Sequence, residues 1–359
     1  MTTGRGRFGY SFEPFASRSE PPADLVQGTA RFRTVLTRHG QPNLIRESSP
    51  ESERPINERE RNRLLRQLTP RDTAILTALA QYRYLDQVQL QQLFFPSSRR
   101  TQLRTAWLKD QGLVHRWLRL EPKGWQRLPS VVLLSARGAR LLAMLRGQDP
   151  RPAVQRSHHA STHCFHLTHD LEANGLFIDV AGASAPLHEE GLYHWVGEWA
   201  ARAIYRKREA TFAPDGWGRY LTPTGEVVLL LEWDRGTESP QRLSEKANQY
   251  IHYFQGRQDA ELNNVLFVAS TPAREGVIQA TIGRRLPGEH RPCCRFWTTS
   301  LDRLHDQGSL AAVWSPVAGS SERLRLAQLP ALARSERPAA DCIGKPTWWE
   351  RRIGGGEGA

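Results

Sequence analysis

Cysteine is scarce in this sequence. There are four in 359 residues, Cys293 and Cys294 are adjacent, and no Cys-x-x-Cys pair occurs. That argues against a disulfide framework and fits a reducing compartment. Long apolar runs are missing too, and none approaches the roughly 20 residues of a membrane span. The opening "MTTGRGRFGYSFEPF" has no apolar core of the signal-peptide kind. The expectation is a cytoplasmic protein with no membrane partner. No Gly-x-x-x-x-Gly-Lys loop is present, so ATP hydrolysis is not indicated. Lysine is rare as well: Lys109, Lys123, Lys207, Lys246 and Lys345 are the only five.

Arginine carries the charge instead. The formal net charge is +12 and the isoelectric point is near 10. An arginine-rich genome explains arginine replacing lysine but not the excess over acids. An excess of this size favours a polyanionic partner, and double-stranded DNA is the expected one.

The length suggests two domains with tails. Residues 1–63, with "RESSPESERPINERERNR", read as a disordered or weakly helical lead-in. A first block covers 64–150, and Pro150 and Pro152 mark a linker. A second block covers 155–316, and 317–359 reads as a tail with at most a short helix, where Trp348 and Trp349 could dock. The fold class expected is α/β, in more than one domain.

The first block has the rhythm of short amphipathic helices. Thr69 can cap one, with Pro70 in its first turn. Asp86 can cap a second, which Pro96 ends. Ser97 or Ser98 caps a third, which Gly112 closes. "LVHRWLRLEPKGWQRLPSVVLLS" then reads as two strands around Lys123-Gly124. Three helices and a hairpin make the winged variant of the helix-turn-helix. In the third helix Leu103, Ala106, Trp107 and Leu108 can pack inward, leaving Arg99, Arg100, Gln102 and Arg104 outward. Arginine and glutamine read guanine and adenine edges in the major groove. The hairpin adds Arg116, Arg119, Lys123 and Arg127. The alternative is a winged helix used for dimerisation or protein contact, with a solvated charged face.

In the second block "EVVLLLEWD" and "NNVLFVAS" are short buried strands. "SPQRLSEKANQYIHYFQG" is a helix capped by Ser239, with Leu243, Ala247, Tyr250, Ile251 and Phe254 as its apolar stripe. The order is helix, three strands, helix, strand, helix, strand. It resembles the core of the restriction-endonuclease-like (PD-(D/E)XK) fold, whose signature is Pro-Asp, a gap, then Glu-x-Lys. Pro214-Asp215 and Glu232-Trp233-Asp234 match the first two elements, at a hairpin's separation.

Two carboxylates on neighbouring strands can hold Mg²⁺ or Mn²⁺ beside a phosphate, since such ions take oxygen ligands. Asp215 and Glu232 are the first candidates, the Trp233 carbonyl could add a ligand, and Asp234 is a third metal candidate. Glu172 or Asp170, on the preceding helix, could add a further carboxylate. The usual lysine position holds Asp234, so Lys246 on the next helix is the candidate to aid the attacking water. The alternative is a structural cluster, with Glu232 and Asp234 paired to arginines such as Arg235.

Across about 65–316 the chain resembles the replication-relaxation family of plasmids and integrative elements. The resemblance rests on "LTPRDTAILTALAQYRYLDQVQLQQLFFP", the "GLV" after the third helix and "LLLEWDRGTESPQRLSEKANQYIHYF". It implies a DNA-binding protein of a mobile element, acting in replication, relaxation or conjugative transfer. Partners would be replication or transfer machinery, and a homodimer is compatible. It also implies that aspartate at the third motif position is a family habit. A metal-dependent nickase or endonuclease and a non-catalytic regulator both stay open.

"SHHASTHCFHLTHD" raises a zinc site among His158, His159, His163, Cys164, His166 and His169. A polar helix end near DNA, with His166 or His169 touching a phosphate or carrying a proton, is the other reading. Tyr82, Tyr84, Tyr250 and Tyr253 are hydroxyls for covalent nicking, but no His-hydrophobe-His triplet accompanies them.

Overall fold

In a computed structural model of the chain, the residues described are 33–35, 43–47, 49–120, 127–162, 164, 166–187, 190–208, 210–255, 263–286, 294–318 and 322–333. They form a mixed α/β structure with two sheets. None of the helices they form is long and apolar enough to cross a membrane.

The lead-in differs from its expectation. It carries β1 (Arg33–Val35), β2 (Asn43–Glu47) and α1 (Glu58–Gln67). Leu44 and Leu64 are fully buried, and Arg46 lies over the Trp117 ring at 4.8 Å. Arg137, itself buried, holds α1 through Glu60 at 2.8 Å. One buried leucine anchors each of β2 and α1, too sparse a pattern for periodicity to register.

Capping chemistry sets the next boundaries. Thr69 and Asp72 exchange side-chain and backbone hydrogen bonds at the start of α2 (Pro70–Tyr82). Asp86, in the two-residue β3 (Leu85–Asp86), does the same with Gln89 for α3 (Gln87–Phe94). Helix α4 (Ser98–Asp110) follows, with Ser97 at its N-cap but making no side-chain cap bond. Gly112 turns the chain at φ +71°, where a Cβ would sit 2.7 Å from Glu51, so glycine is required twice over. β4 (Val114–Leu120) and β5 (Arg127–Leu134) pair antiparallel, and the sheet order is β1-β2-β4-β5-β3. α5 (Ala136–Leu145) packs behind.

Pro150 and Pro152, expected in a linker, instead occupy the first turn of α6 (Pro150–Thr162), where a missing N–H costs nothing. α7 (Leu167–Ser184), β6 (Gly191–Gly197) and α8 (Glu198–Lys207) follow. Then come the hairpin β7 (Gly216–Leu221) and β8 (Gly225–Asp234), and α9 (Pro240–Gln255). β9 (Asn263–Ala269), α10 (Pro272–Gly283), β10 (Cys294–Ser300), α11 (Leu301–Gln307), β11 (Ser315–Pro316) and β12 (Leu332–Ala333) complete the described chain.

The second sheet runs β11-β10-β9-β8-β7-β6, with β12 on β8. β8, β9 and β10 are parallel, while β6 and β7 are antiparallel neighbours. Alternation along β8 splits its side chains between two faces. Leu229, Leu231 and Trp233 join the core that includes α7, while Val228 and Leu230 join the one that includes α9 and α10. At Gly216 a Cβ would meet the Phe177 ring at 2.4 Å, so β7 lies tight on α7. The near part of the expected tail is integrated: Leu326 and Leu329 are buried and β12 pairs with β8. Trp348 and Trp349 lie outside the described residues.

The two sheets share one apolar core. The Tyr82 ring stacks on Trp195 at 3.7 Å and 4°. Asn174 Nδ2 donates to the Tyr82 and Tyr84 carbonyls at 3.1 and 3.2 Å, and Gln89 Nε2 donates to the Leu171 carbonyl at 2.7 Å. An aromatic pair of this kind adds about 0.5–1.5 kcal/mol beyond its area.

Two histidines in these sheets give a pH prediction. Burial pushes His115 and His194 down to about 4, with nearby positive charge adding to the effect. Each folded-state pKa lies below the unfolded one, so each contributes stability above pH 6.5 that is lost as pH falls towards 4. Asp170 and Glu232, raised to about 7 by burial, act in the opposite sense over much of the same window. The effect is therefore read as a difference between proteins. Relative to wild type, His194→Gln should gain on the order of 3 kcal/mol in urea-unfolding stability between pH 7 and pH 4. Parallel curves for the two proteins would refute it.

Candidate functional site

The hairpin brings Asp215 to Glu232. Gly216 pairs with Leu231, so Asp215 enters β7 at the level of Glu232, and Glu232 feels the charge of Asp215. Asp215 Oδ2 accepts the Trp233 amide at 2.8 Å. It also lies 3.3 Å from His169 Nε2, which is 3.0 Å from the Trp233 carbonyl. Both oxygens are acceptors, so Nε2 carries the proton. Burial alone would lower the His169 pKa, but Asp215, then Asp170 and Glu198, raise it to about 9. Burial alone would raise Asp215, but His169 and then Lys246 hold it below the usual carboxylate range.

Glu232 is 2% exposed. Lys246 Nζ donates to its Oε2 at 2.7 Å and to Glu238 Oε1 at 2.9 Å, and the Tyr250 hydroxyl donates to its Oε1. Burial raises Glu232 to about 7, against the pull of Lys246. The lysine reaches this point because α9 runs antiparallel to β8 across one face, with Leu243, Ala247 and Tyr250 buried beneath it.

The other acidic candidates are tied elsewhere. Asp234 is gripped by Arg274 from α10, with Nε at 2.5 Å and Nη2 at 3.1 Å. Glu172 accepts the Trp233 indole N–H at 3.0 Å and pairs with Arg235 at 3.3 Å. Two residues along β8 return to the same face but advance it by about 7 Å, which carries Asp234 past Asp215 to the start of α10. Among the described residues no group of three or more His, Cys, Asp or Glu is arranged to hold a metal ion. The three-carboxylate set of Asp215, Glu232 and Asp234 is therefore not formed, and neither is a zinc site on the described histidines. His158 faces Glu53 at 3.7 Å, His159 packs by Trp199, and His163 lies outside the described residues. Of the tyrosines, Tyr82, Tyr84 and Tyr250 are buried.

The basic face divides in the same way. Arg99, Arg100 and Gln102 are exposed on α4, and Arg127 is exposed on β5. Arg116 is half-buried and lines a groove with Gln102 and Arg127. Arg104, expected outward, is instead bound to Asp72 at 2.6 and 2.5 Å and lies over Trp107. Arg119, expected on the wing surface, is 4% exposed and paired with Asp86 at 3.2 Å. Both partners lie more than thirty residues away, and each is a buried carboxylate at a helix start, Asp72 as the capping-box partner of Thr69 and Asp86 as the N-cap itself. Leu103, expected inward, is 63% exposed. Lys123 lies outside the described residues.

Sequence reasoning missed the role of His169 between two oxygens, Arg274, and the hydrogen bond of Tyr250. Only Tyr250 carried a local sign, a hydroxyl on the α9 stripe four residues after Lys246.

Fold and site together define a mixed α/β protein in which a carboxylate pair, held by a lysine and a histidine, sits on the larger of two sheets. The chain belongs to the replication-relaxation family, whose model matches residues 76–267, just over half its length. That span runs from within α2 to β9 and contains Asp215, Glu232, Lys246 and His169. No curated protein and no solved structure matches the chain. Membership suggests a role in replication or relaxation of plasmid or mobile-element DNA.

Proposed function

We propose that this protein binds duplex DNA through a winged helix and breaks one strand with a metal-assisted site on its larger sheet. The helices α2, α3 and α4, with β3 paired to the β4–β5 hairpin, support the winged-helix reading. The order α7, β6, β7, β8, α9, β9, with α8 inserted and β8 parallel to β9, supports the restriction-endonuclease-like reading. The observation that carries the proposal is the 2.7 Å contact of Lys246 with Glu232. It returns a lysine to the carboxylate pair although Asp234 fills the usual position.

Asp215, Glu232 and the Trp233 carbonyl would hold Mg²⁺ or Mn²⁺. Hard oxygen donors suit such ions, and Asp215 Oδ2 with the Trp233 carbonyl already embraces one cationic group, His169. When bound, the ion supplies charge neutralisation at phosphorus and a more acidic water. Tyr250 fixes the Glu232 carboxylate. Lys246 offers its ammonium to developing negative charge. The exposed Arg99, Arg100 and Gln102 contact the duplex, with Arg116 and Arg127 beside them.

Supercoiled plasmid incubated with the protein and Mg²⁺ or Mn²⁺ should be nicked, and Asp215→Ala should nick at least about 100-fold more slowly. Equal nicking by both proteins, or none on DNA the protein binds, would exclude the catalytic part. A second reading, a non-catalytic DNA-binding regulator, draws on the engagement of Asp234 by Arg274. It expects a metal-insensitive footprint without cleavage.

A further inference from the structure

We infer that a basic cleft beside the acidic site seats a backbone phosphate of the DNA strand leading to it. This rests on the proposed action on DNA and adds a second contact, separate from α4. The cleft lies between α2, α5, α6 and α8. Arg83, Arg146 and Arg156 supply its charge, the His159 ring and the Trp199 indole form part of its wall, and among the described residues no carboxylate lines it. The floor is apolar, with Leu79, Leu142 and Ala143 among its residues. Its volume is about 60 Å³, room for a few water-sized groups. That suits the oxygens of one phosphate, with the Trp199 face left at the wall for a base of the same strand.

Two observations tie the cleft to the acidic site. First, Arg83 and Trp199 also line the neighbouring small cavity, whose other members include Asp170, Glu198 and Asp215. The Arg83 guanidinium stands between them, 3.4 Å from Asp170 Oδ2 and 5.8 Å from the Trp199 ring centroid. Second, Arg83 has φ +67°, the only non-glycine residue among those described with a positive φ. Such a backbone costs about 1–3 kcal/mol and is natural for glycine. An arginine held there at that cost indicates that its side chain is needed at this wall. A strand can pass from the arginine rim, over Trp199, to the carboxylate pair. Arginine neutralises phosphate and the indole face tolerates any base, so the contact is independent of sequence.

The test is fluorescence anisotropy of a labelled single-stranded oligonucleotide, in EDTA over a salt series, with a duplex probe alongside. Arg146→Ala combined with Arg156→Ala changes two exposed side chains. It should weaken single-strand binding about tenfold and lower the salt slope by about 0.7, the share of one phosphate, while duplex binding stays near wild type. Arg99→Ala with Arg100→Ala should do the reverse. Trp199→Ala provides an independent variant and should weaken single-strand binding about tenfold with the salt slope unchanged. Single-strand affinity and slope unchanged in the double arginine variant would overturn the inference. So would equal losses on both probes, or no binding of single strands by wild type. Because no metal is present, failure of nicking leaves this result readable, and its failure leaves the nicking result readable.

Discussion

Asp86→Ala should lower the unfolding free energy by about 3–5 kcal/mol, read from the urea midpoint at pH 7. Asp86 has two jobs. Its Oδ1 accepts the Val88 and Gln89 amides at 3.0 and 2.9 Å, capping α3. Its Oδ2 lies 3.2 Å from Arg119, and both side chains are almost fully buried. Loss of the cap alone costs about 1 kcal/mol. The larger part comes from Arg119, whose guanidinium would stay inside with the Pro129 carbonyl at 2.9 Å and no carboxylate. Combining Asp86→Ala with Arg119→Met removes the stranded charge and should recover part of the loss. A loss below about 1 kcal/mol in the single variant would mean that the pair is not a structural pin.

Lys246→Met should also destabilise, and its effect should depend on pH. Burial raises Glu232 to about 7 from an ordinary 4.5. A carboxyl with a raised folded-state pKa contributes stability that is present below pH 4.5 and lost as pH rises through 7. Lys246 limits that loss by pairing with the ionised form. Without it, Glu232 must stay buried and charged or bind a proton that the unfolded chain releases. In EDTA the variant should lose about 3 kcal/mol at pH 8. At pH 5 Glu232 is protonated in both folded proteins, and the loss should shrink to about 1 kcal/mol, the partly exposed contact with Glu238. Equal losses at the two pH values would separate Lys246 from Glu232.

What the sequence disclosed was mostly local. Thr69, Asp86 and Ser239 announce helix starts because a cap is a contact within three residues. The apolar run ending in Glu232-Trp233-Asp234 announces a buried strand, and the spacing from Asp215 fits a hairpin. Lys246 was placed because helix periodicity fixes which positions lean inward. Distant partners were not disclosed. Arg104 and Arg119 read as DNA contacts because arginine looks the same whether it meets a phosphate or a buried aspartate distant in sequence. Asp234 read as a metal candidate because nothing near it in sequence points to Arg274. His169 sat in a histidine-rich run whose spacing suggested several uses, and only the approach of β8 to α7 selects one.

The stacking of Tyr82 on Trp195, within the core shared by the two sheets, has a consequence for where a cut would fall. The block that would grip a target and the site that would attack it are not joined by a slack tether. On the proposed function, the separation between recognised bases and broken bond would be fixed by side-chain packing, as the jaws of a caliper are fixed once locked. Each base pair added between them would rotate the bond by about a tenth of a helical turn, presenting a different face of the backbone to Asp215 and Glu232.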